Sequence, residues 1–269
     1  MRKIDYLSSL TLQQHNHLFL KQLSTTAAKT TLGGIVGKGF RFKHFTVEDQ
    51  DCGMPVSTDG VLLGAWAEAK DGHTILDIGT GTGLLALMMA QRFPTARITA
   101  LDIDAHAAET ARFNAEQSAW HDRIDVHHQD ICTWESSAQF DTIVCNPPYF
   151  TTGEQANDAR RAKARHTNTL SHDTLLNVIK ARLSLHGEAH LILPSVEGEN
   201  LITKAQTHQL FCCRKVRVKP TERKPVSRLL ITLSKNRPAD VEEKTLVIQG
   251  MARYTDEFIA LTKDFYLKM

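Results

Sequence analysis

Residues 74–87, TILDIGTGTGLLAL, decide the fold. An apolar run leads into Asp77, three alternate glycines (Gly79, Gly81 and Gly83) make a tight turn, and Leu84 opens an apolar helix. A strand, a glycine turn that lets backbone approach a ligand, and a helix form the first unit of a doubly wound α/β sheet. A dinucleotide fingerprint would carry its third glycine at position 84, where this chain has Leu84, so the spacing favours a different nucleotide-like ligand. A single glycine at such a turn can serve packing alone. The Asp-x-Gly-x-Gly-x-Gly unit points to a site.

Downstream, residues 97–102 read as the second strand and end in Asp102. An acid about twenty residues beyond the glycines accepts hydrogen bonds from ribose hydroxyls in doubly wound folds. Asp104 caps a helix expected over residues 105–117. The third strand, residues 124–127, is followed by Asp130 and Ile131, placed for a carboxylate to accept from an adenine amine and for an apolar side chain to cover the ring. Taken alone, Asp130 is a turn residue. Residues 140–150, FDTIVCNPPYF, hold a fourth buried strand cut off by Asn146-Pro147-Pro148-Tyr149. Two prolines cannot continue a ladder, so the turn projects an Asn carboxamide and a Tyr ring beyond the sheet edge. That suits a flat, amine-bearing molecule, or simply ends a strand. These strand ends meet in one crevice.

Upstream, residues 1–37 are polar and rich in Ser, Thr and Gln, and are expected to be a mobile extension, with the domain proper over residues 38–269. Phe40 to Val47 patterns as a small hairpin. Ser57-Thr58-Asp59 precedes an apolar helix as a cap, or presents Thr58 to a cofactor. Beyond the turn, Arg160, Arg161, Lys163 and Arg165 form either a solvated helix face or a basic flap for phosphates. Helices at residues 173–185 and 196–208 flank a strand at 189–193, and residues 211–218 and 228–233 read as a hairpin. Lys215, Arg217, Arg223 and Lys224 concentrate positive charge there. Residues 246–248 read as extended and 255–267 as a terminal helix.

Composition excludes several classes. The formal charge is only +2 over 269 residues, so clustering, not total charge, would attract a polyanion. Five cysteines without CxxC spacing indicate neither a disulfide framework nor a zinc site, and 13 histidines come without metal-ligand spacing. No window suits a membrane span or a secretion signal. The expectation is a cytoplasmic protein without metal, membrane or obligate protein partner.

The Asp77–Gly83 loop resembles that of the class I S-adenosylmethionine-dependent methyltransferases, and Asn146-Pro147-Pro148-Tyr149 is similar to the turn of those that methylate planar nitrogens. More narrowly, residues 39–43, 57–66, 146–149 and the ending Tyr254…Tyr266 resemble the bacterial tRNA(Val) adenine-N6 methyltransferases, which modify the adenine 3′ of the anticodon. Two departures are Asp102, where relatives often carry the longer Glu, and the extension at residues 1–37. The resemblance implies a Rossmann-like α/β fold with a mostly parallel seven-stranded sheet and an antiparallel last strand. It implies S-adenosyl-L-methionine as cofactor, held by Thr58, Asp77, Gly79, Gly81, Gly83, Asp102, Asp130, Ile131 and Asn146, and tRNA as partner. By the same resemblance, Asn146, Pro147 and Tyr149 are expected to carry the transfer. Protein glutamine N5, RNA guanine N2 and, less readily, DNA adenine are rival acceptors; a nicotinamide oxidoreductase and a non-catalytic RNA-binding protein are rivals of other classes.

Overall fold

The computed structural model describes residues 39–49, 55–147 and 170–268. The expected N-terminal extension, Pro148, Tyr149 and the basic segment at Arg160–Arg165 lie outside these described residues. Strands β1 (Gly39–Arg41) and β2 (Thr46–Glu48) form the expected antiparallel hairpin. Helix α1 (Thr58–Trp66) follows, capped by Ser57, whose hydroxyl accepts from the Gly60 amide. Then strand and helix alternate: β3 (Thr74–Ile78), α2 (Leu84–Arg92), β4 (Arg97–Asp102), α3 (Ala105–Glu116), β5 (Ile124–His128) and β6 (Phe140–Cys145). Asp104 caps α3 by accepting from the Ala107 amide.

The second half comprises α4 (His172–Arg182), β7 (Leu183–Pro194), α5 (Ser195–Thr207), β8 (Phe211–Thr221), β9 (Arg228–Ser234), β10 (Glu242–Gln249) and α6 (Asp256–Thr262). The main sheet runs β10-β8-β9-β7-β6-β3-β4-β5. Among the described strands of this sheet only β9 is antiparallel to both neighbours, making the expected hairpin with β8. Strand β10 is the difference from seven strands. It pairs parallel to β8, and buried Leu246 anchors it to the core, so a stretch that reads as merely extended becomes an edge strand.

Two element ends also differ from the periodicity. Helix α4 stops at Arg182 rather than Leu185 because Leu183 turns extended and pairs with Phe140; a register shift at Phe140/Thr142 follows. A side chain at Gly187 would sit 2.9 Å from the Asp141 carbonyl oxygen, so the strand needs glycine at this crossing. Helix α6 ends at Thr262, and the chain turns so that Phe265 and Tyr266 are buried.

Two apolar layers cover the sheet. On one side Val61, Leu62, Leu85, Met88, Ala108, Ala111 and Phe258 pack with Val144 and Ile192; on the other, Leu175, Leu176, Ile179 and Leu201 pack with Leu76, Ile143 and Leu191. Both faces of the parallel strands are thus buried, which is why they read as continuous apolar runs. The hairpin joins the first layer through Phe42, whose ring stacks on Phe45 at 4.6 Å and lies 6.1 Å from Tyr266. Replacing Phe42 by Ala should cost about 3–5 kcal/mol in urea unfolding. A loss well under about 1 kcal/mol, the level of a surface substitution, would mean that the hairpin contributes nothing to the folded body.

Candidate active site

Strands β3, β4, β5, β6 and β7 run parallel, so their carboxyl ends share one edge. Along it lie the glycine turn, Asp102, Asp130, Asn146-Pro147 and the start of α5. Gly79, Gly81 and Gly83 have φ of 70, 58 and 82°. L side chains rarely adopt these angles. A Cβ at Gly79 or Gly81 would meet nothing among the described residues within 4 Å, whereas at Gly83 it would press on Ala111 at 3.3 Å. The first two glycines therefore leave open space above the turn, and the third lets α3 approach. The Gly79 and Thr80 amides both donate to the Leu101 carbonyl, at 2.9 and 3.0 Å, tying the turn to β4.

Asp102 is fixed by backbone: Gly81 N–H donates to Oδ2 at 2.8 Å and Asp104 N–H to Oδ1 at 2.9 Å. Each carboxylate oxygen has a further lone pair, so two hydroxyl donors can still be accepted. Burial raises its pKa, opposed by these amides. Asp77 is wholly buried below the turn. The Thr80 hydroxyl donates to its Oδ2 at 2.6 Å, while Oδ1 has no hydrogen-bond partner among the described residues. Desolvation pushes this carboxyl up to about 7, with Thr80 opposing and nearby Asp102 reinforcing the shift.

Asp130 accepts the Cys132 amide at 2.9 Å in a side-chain turn. Ile131 is 8% exposed, its side chain packed mainly into the core with Leu76 and Leu101. Asn146 is half-buried and Pro147 buried. The Asn146 Nδ2 lies 3.9 Å from where a Gly60 Cβ would be, so the first turn of α1 abuts the amide turn. Thr58 sits half-buried in that helical turn, while the capping hydroxyl is that of Ser57.

The basic residues divide. Arg223 and Lys224 are exposed in the β8–β9 turn and, among the described residues, make no ion pair. Lys215 is 8% exposed, its ammonium 3.4 Å from Glu199 and 3.2 Å from Glu243; Arg217 pairs with Glu243. On the expected basic strand face, Lys215 and Arg217 are thus paired with acids of the protein's own surface.

Two features escaped sequence reasoning. Ile103, 43% exposed directly after Asp102, places an apolar surface at the crevice; an apolar residue just past a strand-end acid was the available signal. Arg228 Nε donates to Asp59 Oδ2 at 2.7 Å, linking the start of β9 to α1. Residues 169 apart in sequence carry no local sign of such pairing.

The methyltransferase small domain family model matches residues 58–188. A Vibrio parahaemolyticus protein, tRNA1(Val) (adenine(37)-N6)-methyltransferase, is 53% identical over 86% of this chain and 97% of its own length. The Aliivibrio salmonicida protein of the same name is 47% identical over 87% of this chain and 100% of its own. The chain belongs to the tRNA1(Val) (adenine(37)-N6)-methyltransferase family. Among solved structures, a predicted O-methyltransferase from Agrobacterium tumefaciens aligns with a TM-score of 0.60 at 18% identity, covering 77% of this chain and 96% of that one. At that identity the likeness supports the fold.

The turn fits S-adenosylmethionine on structural grounds: open space above Gly79 and Gly81 and spare lone pairs on Asp102, whose oxygens are oriented by backbone amides. The pKa of Asp77 also sets a stability test. Its folded value lies above the unfolded 3.8, so its contribution is whole below that pH and is lost as pH climbs through about 7. Asp77→Asn should therefore gain thermal stability relative to wild type, by several degrees, between about pH 5 and about pH 8. Parallel melting curves for the two proteins would return Asp77 to the ordinary carboxylate range.

Proposed function

We propose that this enzyme transfers a methyl group from S-adenosylmethionine to N6 of adenine 37 in tRNA1(Val), the reaction named for its relatives. The observation that carries the reading is the meeting of the glycine turn, Asp102 and Asn146-Pro147 at one sheet edge, with Asn146 against the first turn of α1. The donor, when bound, supplies an electrophilic methyl on a sulfonium. Asp102 accepts from its ribose hydroxyls, Asp130 from its adenine amine, and Ile103 and Ile131 cover the ring. Gly79, Gly81 and Gly83 give backbone access, with Thr58 at the α1 end of the pocket.

The acceptor nitrogen is a poor nucleophile because its lone pair is delocalised into the ring. Asn146 Oδ1 and the Pro147 carbonyl accept hydrogen bonds from its two N–H groups, which favours a pyramidal nitrogen aimed at the methyl, and Tyr149 stacks on the base at a worth of roughly 1–3 kcal/mol. No strong base is needed before transfer; alignment supplies most of the acceleration, and the proton leaves afterwards to solvent. The target base must first leave its stack, at a cost of a few kcal/mol that an anticodon loop lowers. Arg223 and Lys224, with Arg160, Arg161, Lys163 and Arg165, hold the phosphates. Lys215 and Arg217 contribute through the acids they already pair with rather than through RNA. Such a substrate places the enzyme in the cytoplasm.

Incubation of bulk tRNA and a protein digest with methyl-labelled donor, followed by nucleoside and peptide mass spectrometry, tests the reaction. Label should appear in N6-methyladenosine and map to position 37 of tRNA1(Val). Label in glutamine or in N2-methylguanosine would replace this reading with a rival. Reversing charge at Arg223 and Lys224 should weaken tRNA binding about tenfold near 0.1 M salt and reduce the salt dependence by about one to two counterions. An unchanged slope in fluorescence anisotropy would remove that turn from the RNA surface.

A further inference from the structure

We infer that Asn114 is a positioning residue of the methyl-donor site, locking the glycine turn and the N-terminal hairpin into one register; the inference rests on the donor site proposed above. Asn114 lies on α3 and is 1% exposed. A buried carboxamide is costly unless its polar atoms are paired. Here they are: Glu48 N–H donates to Oδ1 at 2.9 Å, and Nδ2 donates to the Glu48 carbonyl at 2.8 Å and the Thr82 carbonyl at 2.9 Å. Both amide hydrogens are used. Toward Glu48 the side chain acts as a strand partner would, taking the N–H and C=O of one residue. Toward Thr82 it reaches a buried carbonyl inside the glycine turn.

That second contact has a geometric consequence. The Thr82 carbonyl and the Gly83 N–H belong to one planar peptide unit, so fixing the first fixes the second. Gly83 N–H donates to the Thr80 carbonyl at 2.9 Å, and Thr80 in turn holds Asp77. Gly83 is at φ 82°, and glycine offers little barrier to rotation of that peptide. Without the Nδ2 donor, the Thr82 carbonyl is left buried and unpaired, and the peptide keeps only the Gly83 N–H bond to Thr80 to hold its orientation. Ala111, one helical turn earlier on α3, closes the same turn from behind at 3.3 Å from the Gly83 Cβ position. One helix face thus backs the turn by contact and by hydrogen bond. Its other bonds grip β2, from which the chain leads to α1 and so to the neighbourhood of Asn146.

Donor affinity is the quantity this clasp controls. Steady-state kinetics of Asn114→Ala should show the KM for S-adenosylmethionine raised about tenfold, with kcat at saturating donor and the KM for tRNA within about twofold of wild type. Asn114→Asp keeps an acceptor for Glu48 N–H but loses the donor to Thr82, and should also raise the donor KM. Leu201→Ala, in the core on the opposite face of the sheet, supplies a comparably destabilised control that leaves it unchanged. Calorimetric donor binding reads the same split without RNA. If both Asn114 variants lose thermal stability like Leu201→Ala while keeping the wild-type donor KM, the residue is structural only and the inference is overturned. Should neither variant fold, NMR on the ¹⁵N-labelled wild type decides: the Asn114 side-chain amide signals shift on titration with donor, and signals that stay put overturn the inference. Wild-type protein that bound no donor would overturn the donor site itself, which a normal wild type beside unaffected variants would not.

Discussion

Three left-handed glycines at the end of β3 are the constraint on which the site depends. Their backbone angles allow the chain to reverse between a buried strand and a buried helix within a few residues. The reversal aims the Gly81 amide at Asp102 and leaves space above Gly79 and Gly81. A side chain at any of the three would carry a strained φ. At Gly83 it would also push α3 away, and α3 supplies both Ala111 and Asn114.

Burial sets the electrostatics of the crevice. Asp77 lies wholly buried within the sheet, and desolvation raises its proton affinity. Asp102 is also desolvated, but two backbone amides hold its oxygens, so it stays oriented toward the open side. The two acids differ because their surroundings differ: Asp77 is enclosed below the turn, and Asp102 is held by amides at the open edge, where the proposed function has it receive the donor's hydroxyls. Beyond the edge, charge is sorted in the same way. Lys215 and Arg217 answer acids of the protein, and Arg223 and Lys224 project past the β8–β9 turn.

Much of this was legible in the chain because it is local. Asp77 with its glycines, Asp102 at a strand end, Asp104 as a cap and Asn146 before prolines each announce themselves within a few residues. Periodicity located the helices and missed their ends where pairing intervened, as at Leu183, which joins β7 instead of extending α4. What could not be read is pairing across long separations. The Glu48–Asn114 clasp and the Asp59–Arg228 pair join residues 66 and 169 positions apart. Lys215 looked like part of a basic stripe because its acid partners lie on α5 and β10, and β10 itself hides in a polar segment anchored by Leu246.

The proposed transfer asks Asn146 to act chiefly on the acceptor amine, its contact with the donor being minor. Asn146→Ala, assayed by calorimetry and by single-turnover transfer to tRNA, measures both in one protein. The expected result is donor affinity within about twofold of wild type with transfer slowed by more than about a hundredfold, the size of a lost oriented hydrogen-bonding group at a reacting centre. Wild-type transfer by this variant, or a loss confined to donor binding, would contradict it.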